Sequence, residues 1–250
     1  MASSPPRLSA LARALALAAA CSFTAAGALA EPPGSLPPRA AAATVLGTEI
    51  RTGDPEELRY LVLRALTDRY AAERGIEVTP AEIDAYLARM AAVAERDRRE
   101  REARLAGIER QFAAPGLADD RRTALTAERD ALAQLARDLD RGAGTPQEAA
   151  EEAQARRIIA AAFIRQWKIN QALYREYGGR IVFQQGGPEP LDAYRLFLED
   201  QQTRAAFAIT DAGLEAAFWR YYRNDAIHSF YPAGSAEEAR AFASPWWLAE

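Results

Sequence analysis

His228 is the only histidine in the 250-residue chain. Chemistry that needs two imidazoles, a shared proton relay or a histidine-rich metal site, therefore has no second partner. It stands in "DAIHS", with Asp225 one helical turn before it and Ser229 directly after. A helical carboxylate-x-x-histidine contributes to metal sites in bundles, but those sites use a second copy and further carboxylates, and the sequence holds no second copy. A serine–histidine–aspartate triad needs one histidine, yet sequence adjacency of His228 and Ser229 is not triad geometry, and no G-x-S-x-G elbow precedes a helix. The glycines of "QQGGPEP" match neither a phosphate loop nor a dinucleotide fingerprint. The acid pairs Asp119-Asp120 and Glu151-Glu152 fall on polar helix faces, where an ionised, solvated carboxylate is the ordinary state. The expectation is a structural His228, no catalytic residue, no metal and no cofactor.

The elements around these residues follow a leader. Arg7 and Arg13 make a basic start, Ala14 to Ala30 is small and apolar, and "ALA" (Ala28 to Ala30) precedes Glu31. That order is a secretory signal peptide over residues 1–30. Removing Arg7 and Arg13 from 31 basic residues leaves 29 against 35 acids, a net charge of −6, which disfavours nucleic-acid phosphates. "LALAAAC" offers a lipoprotein box at Cys21, with Ala18 where a large aliphatic residue is usual; cleavage after Ala30 is the preferred reading. Membrane attachment then requires lipidation of Cys21, since no later apolar run is long enough to span a bilayer. The expected location is the periplasm.

Residues 31–42, "EPPGSLPPRAAA", read as a Pro-rich linker. "TVLGTEI" reads as a strand or tight hairpin that could pair with the later run "RIVFQQ". Three helix starts share one device: "DPEE" at Asp54, "TPAE" at Thr79 and "TPQE" at Thr145. A side-chain oxygen caps, proline takes the first position, and an acid three residues on completes a capping box. The first helix carries Leu58, Val62, Leu66 and Tyr70 one turn apart and stops at Gly75. The second carries Ile83, Leu87 and Met90, then enters "AERDRREREAR", where Glu95–Arg99 and Glu100–Arg104 have favourable acid-first spacing. Pro115-Gly116 breaks it. A third helix to about Arg141 has Leu125, Leu132, Leu135 and Leu139 at heptad-like spacing, so residues 95–141 read as an antiparallel hairpin arm. In the fourth helix, Ile159, Phe163, Trp167, Tyr174 and Tyr177, widened by Ile158, Ile169 and Leu173, read as core. Two further helices are expected, one with Leu191, Tyr194, Phe197 and Leu198 inward, one with Leu214, Phe218, Trp219 and Tyr222. The fold class is mainly α: a helical bundle with a long antiparallel hairpin arm and a minor two-stranded β element. Residues 43–178 form the domain bearing the arm, and residues 179–250 pack on the same core.

The stretch from Ala43 to about Met90 resembles the N-terminal domain of SurA-type periplasmic chaperones and related prolyl isomerases. The resemblance rests on a short strand with a glycine, "TVLGTEI", an amphipathic helix, and the joint carried by Gly75, Ile76, Val78, Thr79, Glu82, Ile83 and Asp84. It covers roughly a fifth of the chain. Family members often carry a parvulin-type isomerase domain with two histidines. "RIVFQQGGPEPLDAYRLFLEDQQTRAAFAI" is faintly similar to its opening, but one histidine and too few residues after Arg180 depart from that pattern. The resemblance implies a chaperone-like module without isomerase activity.

These readings lead to an exported protein that binds unfolded or partly folded envelope proteins, outer-membrane precursors among them, without turnover. Tyr60, Tyr86, Met90, Trp167 and Tyr174 are the candidate client-binding residues. A second reading is an adaptor that docks one envelope partner through the arm. A third is an enzyme, either a degenerate peptidyl-prolyl isomerase or a hydrolase using His228.

Overall fold

The computed structural model describes residues 40–139, 145–184 and 187–248. The leader with Cys21, most of the Pro-rich linker, and Gly142 and Gly144 lie outside them. The architecture is mainly α, with seven α-helices and five three-residue strands among the described residues. The chain forms two compact units, one of residues up to Glu77 plus Trp167–Trp246, the other of Val78–Gln166 plus Trp247 onward. The division thus runs through the fourth helix rather than between residues 178 and 179.

In the first unit, strands β1 (Ala43–Val45) and β2 (Thr48–Ile50) form a hairpin. Leu46 and Gly47, at φ 49° and 80°, give the two-residue turn whose twist suits antiparallel strands. Strand β1 takes its second neighbour from strand β5 (Phe207–Ile209), with Val45 opposite Phe207. The expected pairing of "RIVFQQ" with β1 is not made. Strand β3 (Val182–Gln184) instead closes on the adjacent β4 (Gly187–Glu189). Ala43, Val45 and Phe207 all point into the core, and β3 buries Val182 while leaving Phe183 exposed.

Helix α1 (Pro55–Glu73) begins at Asp54, whose side chain accepts from the Glu56 N–H. Glu57 does not complete the expected capping box; its carboxylate accepts from the Thr52 hydroxyl, which also caps the Asp54 N–H. Gly75, at φ 62°, ends α1 in a Schellman motif: the Ile76 N–H reaches Ala71 O at 2.9 Å and the Gly75 N–H reaches Ala72 O at 3.2 Å. Leu58, Val62, Leu66 and Tyr70 are buried, as their spacing requires. They share one core with Ile169 and Leu173, with Leu191, Tyr194, Phe197 and Leu198 of α5 (Leu191–Thr203), and with Phe218, Trp219 and Tyr222 of α6 (Ala212–Arg223). Each such side chain contributes ~1.5–3 kcal/mol on leaving water.

The second unit holds α2 (Pro80–Ala113), α3 (Asp119–Leu139) and the start of α4 (Pro146–Tyr177). A complete capping box opens α2, with Thr79 and Glu82 satisfying each other's backbone N–H groups. The same exchange links Thr145 and Glu148 at the start of α4, at 2.8 and 3.2 Å. Thr79→Ala is expected to lower stability by about 1 kcal/mol, read as a drop in urea midpoint that Thr79→Ser does not share.

Helices α2 and α3 fold back as an antiparallel hairpin. Arg104 grips Glu128 through two bonds of 2.6 Å, and Arg121 reaches Gln111 at 3.1 Å. Glu95–Arg99 pairs as expected at 3.7 Å, but Arg104 turns across to Glu128 rather than back to Glu100. Between these contacts Ile108 and Leu125 are fully buried. The rest of the leucine seam is not: Leu135 and Leu139 are 36% and 56% exposed.

Candidate functional site

His228 is held structurally. Its Nε2 lies 2.7 Å from the Tyr221 carbonyl oxygen, and its ring meets Tyr221 and Phe230 edge-on at 4.9 and 6.1 Å. Asp225, its expected neighbour on a helix face, sits in a 3-10 turn (Asp225–Ile227) and accepts from Arg180 at 2.7 and 3.0 Å. Glu151 and Glu152 are engaged by Gln147 and Arg156, one turn away on the same exposed helix, both at 2.9 Å. Among the described residues, no group of three His, Cys, Asp or Glu side chains could hold a metal ion.

Of the five candidate binding residues, Tyr60, Trp167 and Tyr174 belong to the first unit and Tyr86 and Met90 to the second. Tyr60 on α1 is 59% exposed, and its hydroxyl accepts from Arg64 at 3.2 Å. Trp167 is buried and Tyr174 half-buried; both meet Phe242, at 6.5 and 5.1 Å between ring centroids. That is packing within the first unit, not an accessible platform. In the second unit Tyr86 is buried, stacked on Phe163 at 6.3 Å and 12° and edge-on to Trp247 at 5.5 Å. Burial raises its phenol pKa, so it stays neutral. Met90, one turn on, is half-buried.

The surface that stands out lies where core was expected. On α4, Ile158 is 61% exposed, Ile159 42% and Phe163 37%, while Ala160 and Ile164 take the buried positions. Ile159 and Phe163 are one turn apart on one face. Phe163 rests one side of its ring on Tyr86 and leaves the rest to solvent. From Thr145 to Arg156 every described residue of the same helix is exposed, so that part of the helix is not packed against another element among the described residues. With Leu135 and Leu139 of α3, this unit presents five large apolar side chains on two helices. Helical spacing predicted an apolar stripe correctly here. It could not reveal that this stripe stays exposed among the described residues.

Such a surface attracts apolar side chains without directional demand, because water release rather than a defined bond drives association. It is bordered by Glu151, Glu152 and Arg156, which keep the apolar strip in a polar frame, the arrangement that marks interaction sites on soluble proteins. Among the described residues no helix is long and apolar enough to cross a membrane. No protein-family model, curated protein or solved structure matches the chain.

Proposed function

We propose that the protein is an exported, chaperone-like binder of unfolded or partly folded envelope polypeptides that acts without catalysis. The observation that carries the reading is the exposed strip Ile158, Ile159 and Phe163 on α4, with Leu135 and Leu139 of α3 exposed in the same unit. An unfolded chain offers scattered apolar side chains in no fixed geometry, and an exposed, non-directional apolar strip suits that ligand. Two sequence features support it: the secretory leader, and the resemblance of residues 43–90 to SurA-type N-terminal domains. The joint bearing that resemblance has a defined geometry here, a Schellman stop at Gly75 followed by the Thr79 capping box. In this reading outer-membrane precursors are the clients, and binding shifts from the five aromatic and methionine candidates to the exposed apolar side chains of α4.

The test uses an unfolded outer-membrane β-barrel protein diluted from urea, with aggregation followed by light scattering. The mature chain is expected to suppress scattering near equimolar ratio. The triple variant Ile158→Ser, Ile159→Ser, Phe163→Ser removes roughly 3 kcal/mol of apolar contact and is expected to bind at least tenfold more weakly with an unchanged far-ultraviolet circular dichroism spectrum. A folded triple variant that suppresses scattering as the parent does would overturn the assignment.

A further inference from the structure

The second unit seats an aromatic side chain beside the α4 strip. Tyr86 of α2 and Phe163 of α4 stand nearly parallel, 6.3 Å apart at 12°, and Trp247 meets Tyr86 edge-on at 5.5 Å. All three belong to the same unit, and none joins the hydrophobic core of the first. The Trp247 indole is only 3% exposed. A ring so enclosed leaves, on withdrawal, a recess of its own size with Tyr86 on one wall. Arg157 of α4 meets Asp84 of α2 at 2.6 Å, a tie between the two helices in which Trp247 takes no part.

Trp247 is carried differently from Trp219. The latter stands on the twelve-residue α6 and shares its core with Phe218 and Tyr222. Trp247 stands on a three-residue 3-10 turn, Trp246–Leu248, with Ser244 and Leu248 exposed on either side of it. A single helical turn is unfavourable by itself, so the place of this segment depends on its seated ring. Phe163, which shares the Tyr86 contact, is itself part of the exposed strip, and Ile159 follows one turn back. The strip therefore runs up to the recess.

We infer that the recess at Tyr86 receives an aromatic side chain of the client, and that Trp247 occupies it in the resting chain as a stand-in. The inference deepens the proposed function and rests on it for the identity of the client. The ligand class follows from the exchange of one ring for another. An empty recess forfeits the contacts of its lining, so a small or polar side chain cannot replace the indole. A tryptophan, phenylalanine or tyrosine refills the volume and renews an edge-to-face contact with Tyr86. Apolar residues flanking that ring then lie along Phe163 and Ile159 and leave water there. A tethered segment competes at an effective concentration of ~mM. Trp247 thus excludes weak ligands with a single ring and yields to a polypeptide that also engages the strip.

Fluorescence anisotropy with the full mature chain tests the recess. The probe is a labelled peptide, SPWWLAE, the sequence of residues 244–250. Trp247→Ser is expected to bind it about tenfold more tightly than the parent does, because the tethered competitor is gone. Trp247→Phe, which refills the recess, is expected to bind as weakly as the parent, and the peptide SPLLLAE is expected to gain nothing from Trp247→Ser. Equal affinity of the parent and Trp247→Ser for SPWWLAE, or a Trp247→Phe variant that gains as much as Trp247→Ser, would overturn the inference. If Trp247→Ser fails to fold, the Trp247 indole N–H resonance of the parent decides, followed while SPWWLAE is added to about millimolar concentration. Movement toward the position of a solvent-exposed indole supports displacement, and an unmoved signal refutes it. The peptide assay contains no unfolded client, so its failure strikes the recess alone. In the scattering assay Trp247→Ser is expected to suppress aggregation at a lower ratio than the parent. A Trp247→Ser chain no better than an active parent would overturn the inference, and no suppression by either chain would refute the proposed function and, with it, the client as the ligand of the recess.

Discussion

Gly179→Ala is expected to destabilise the chain by about 3 kcal/mol. A Cβ built at Gly179 would lie 2.4 Å from the Asp192 Cβ, a distance no rotamer change relieves, because the obstructing atom is fixed to the α5 backbone. The residue also holds φ at 92°, a conformation that costs an L-residue ~1–2 kcal/mol, and relief of the overlap adds ~1–3 kcal/mol. The close approach has a purpose. It sets the Arg180 N–H 2.9 Å from Asp192 Oδ2 and the Arg180 Nε 2.8 Å from the same oxygen, while the guanidinium also lies 4.3 Å from the centre of the Phe230 ring. The carboxyl of Asp192 is accordingly held below its ordinary range, chiefly by Arg180. Gly178→Ala is the internal control, since Gly178 has φ 67° but open space around its Cβ position. Its expected cost is about 1 kcal/mol. Urea unfolding of the two variants side by side reads the difference, and equal midpoints would show that the contact with Asp192 is not what Gly179 serves.

The second large effect belongs to Phe218→Ala. The ring is fully buried on α6, with centroids 5.8 Å from Phe207, 5.3 Å from Trp219 and 5.6 Å from Tyr222. Removing it leaves a cavity where α6 meets the β1–β5 pair, so transfer and cavity terms add to ~3–5 kcal/mol. A domain stable by only ~5–15 kcal/mol then loses a large share of its margin. Tyr60→Ala should change the midpoint by less than about 0.5 kcal/mol, because that ring is 59% exposed. Thermal or urea unfolding followed by tryptophan fluorescence distinguishes the pair, and similar losses for both would contradict the placement of the core.

Local signals were legible where one turn of chain decides the outcome. The capping boxes at Thr79 and Thr145, the glycine stop after α1 and the break at Pro115-Gly116 each depend on residues within a few positions. The buried faces of α1, α5 and α6 were legible for the same reason, since helical period alone selects them. Pairings across long stretches were not. Thr44 meets Ala208 from far along the chain, and a three-residue strand has too short a pattern to name its partner. Arg104 had two acidic choices, and only the fold-back of α3 brings Glu128 within 2.6 Å. The same limit explains the α4 strip: an apolar face looks identical in sequence whether a neighbour covers it or not. It also explains the chemistry. His228 and Asp225 are one turn apart in sequence, but the chain leaves the helix at Asn224, and each finds a different partner.

The proposed function stands on contact between the α4 strip and unfolded polypeptide, and site-specific photocrosslinking reads that contact directly. A photoreactive residue at position 159 is expected to crosslink an unfolded outer-membrane β-barrel protein, in competition with unlabelled client, while the same residue at the exposed, polar position 204 is expected to give only background. Equal yields at the two positions, or none at 159 when the protein is demonstrably folded and suppressing aggregation, would contradict the account and move the binding surface elsewhere.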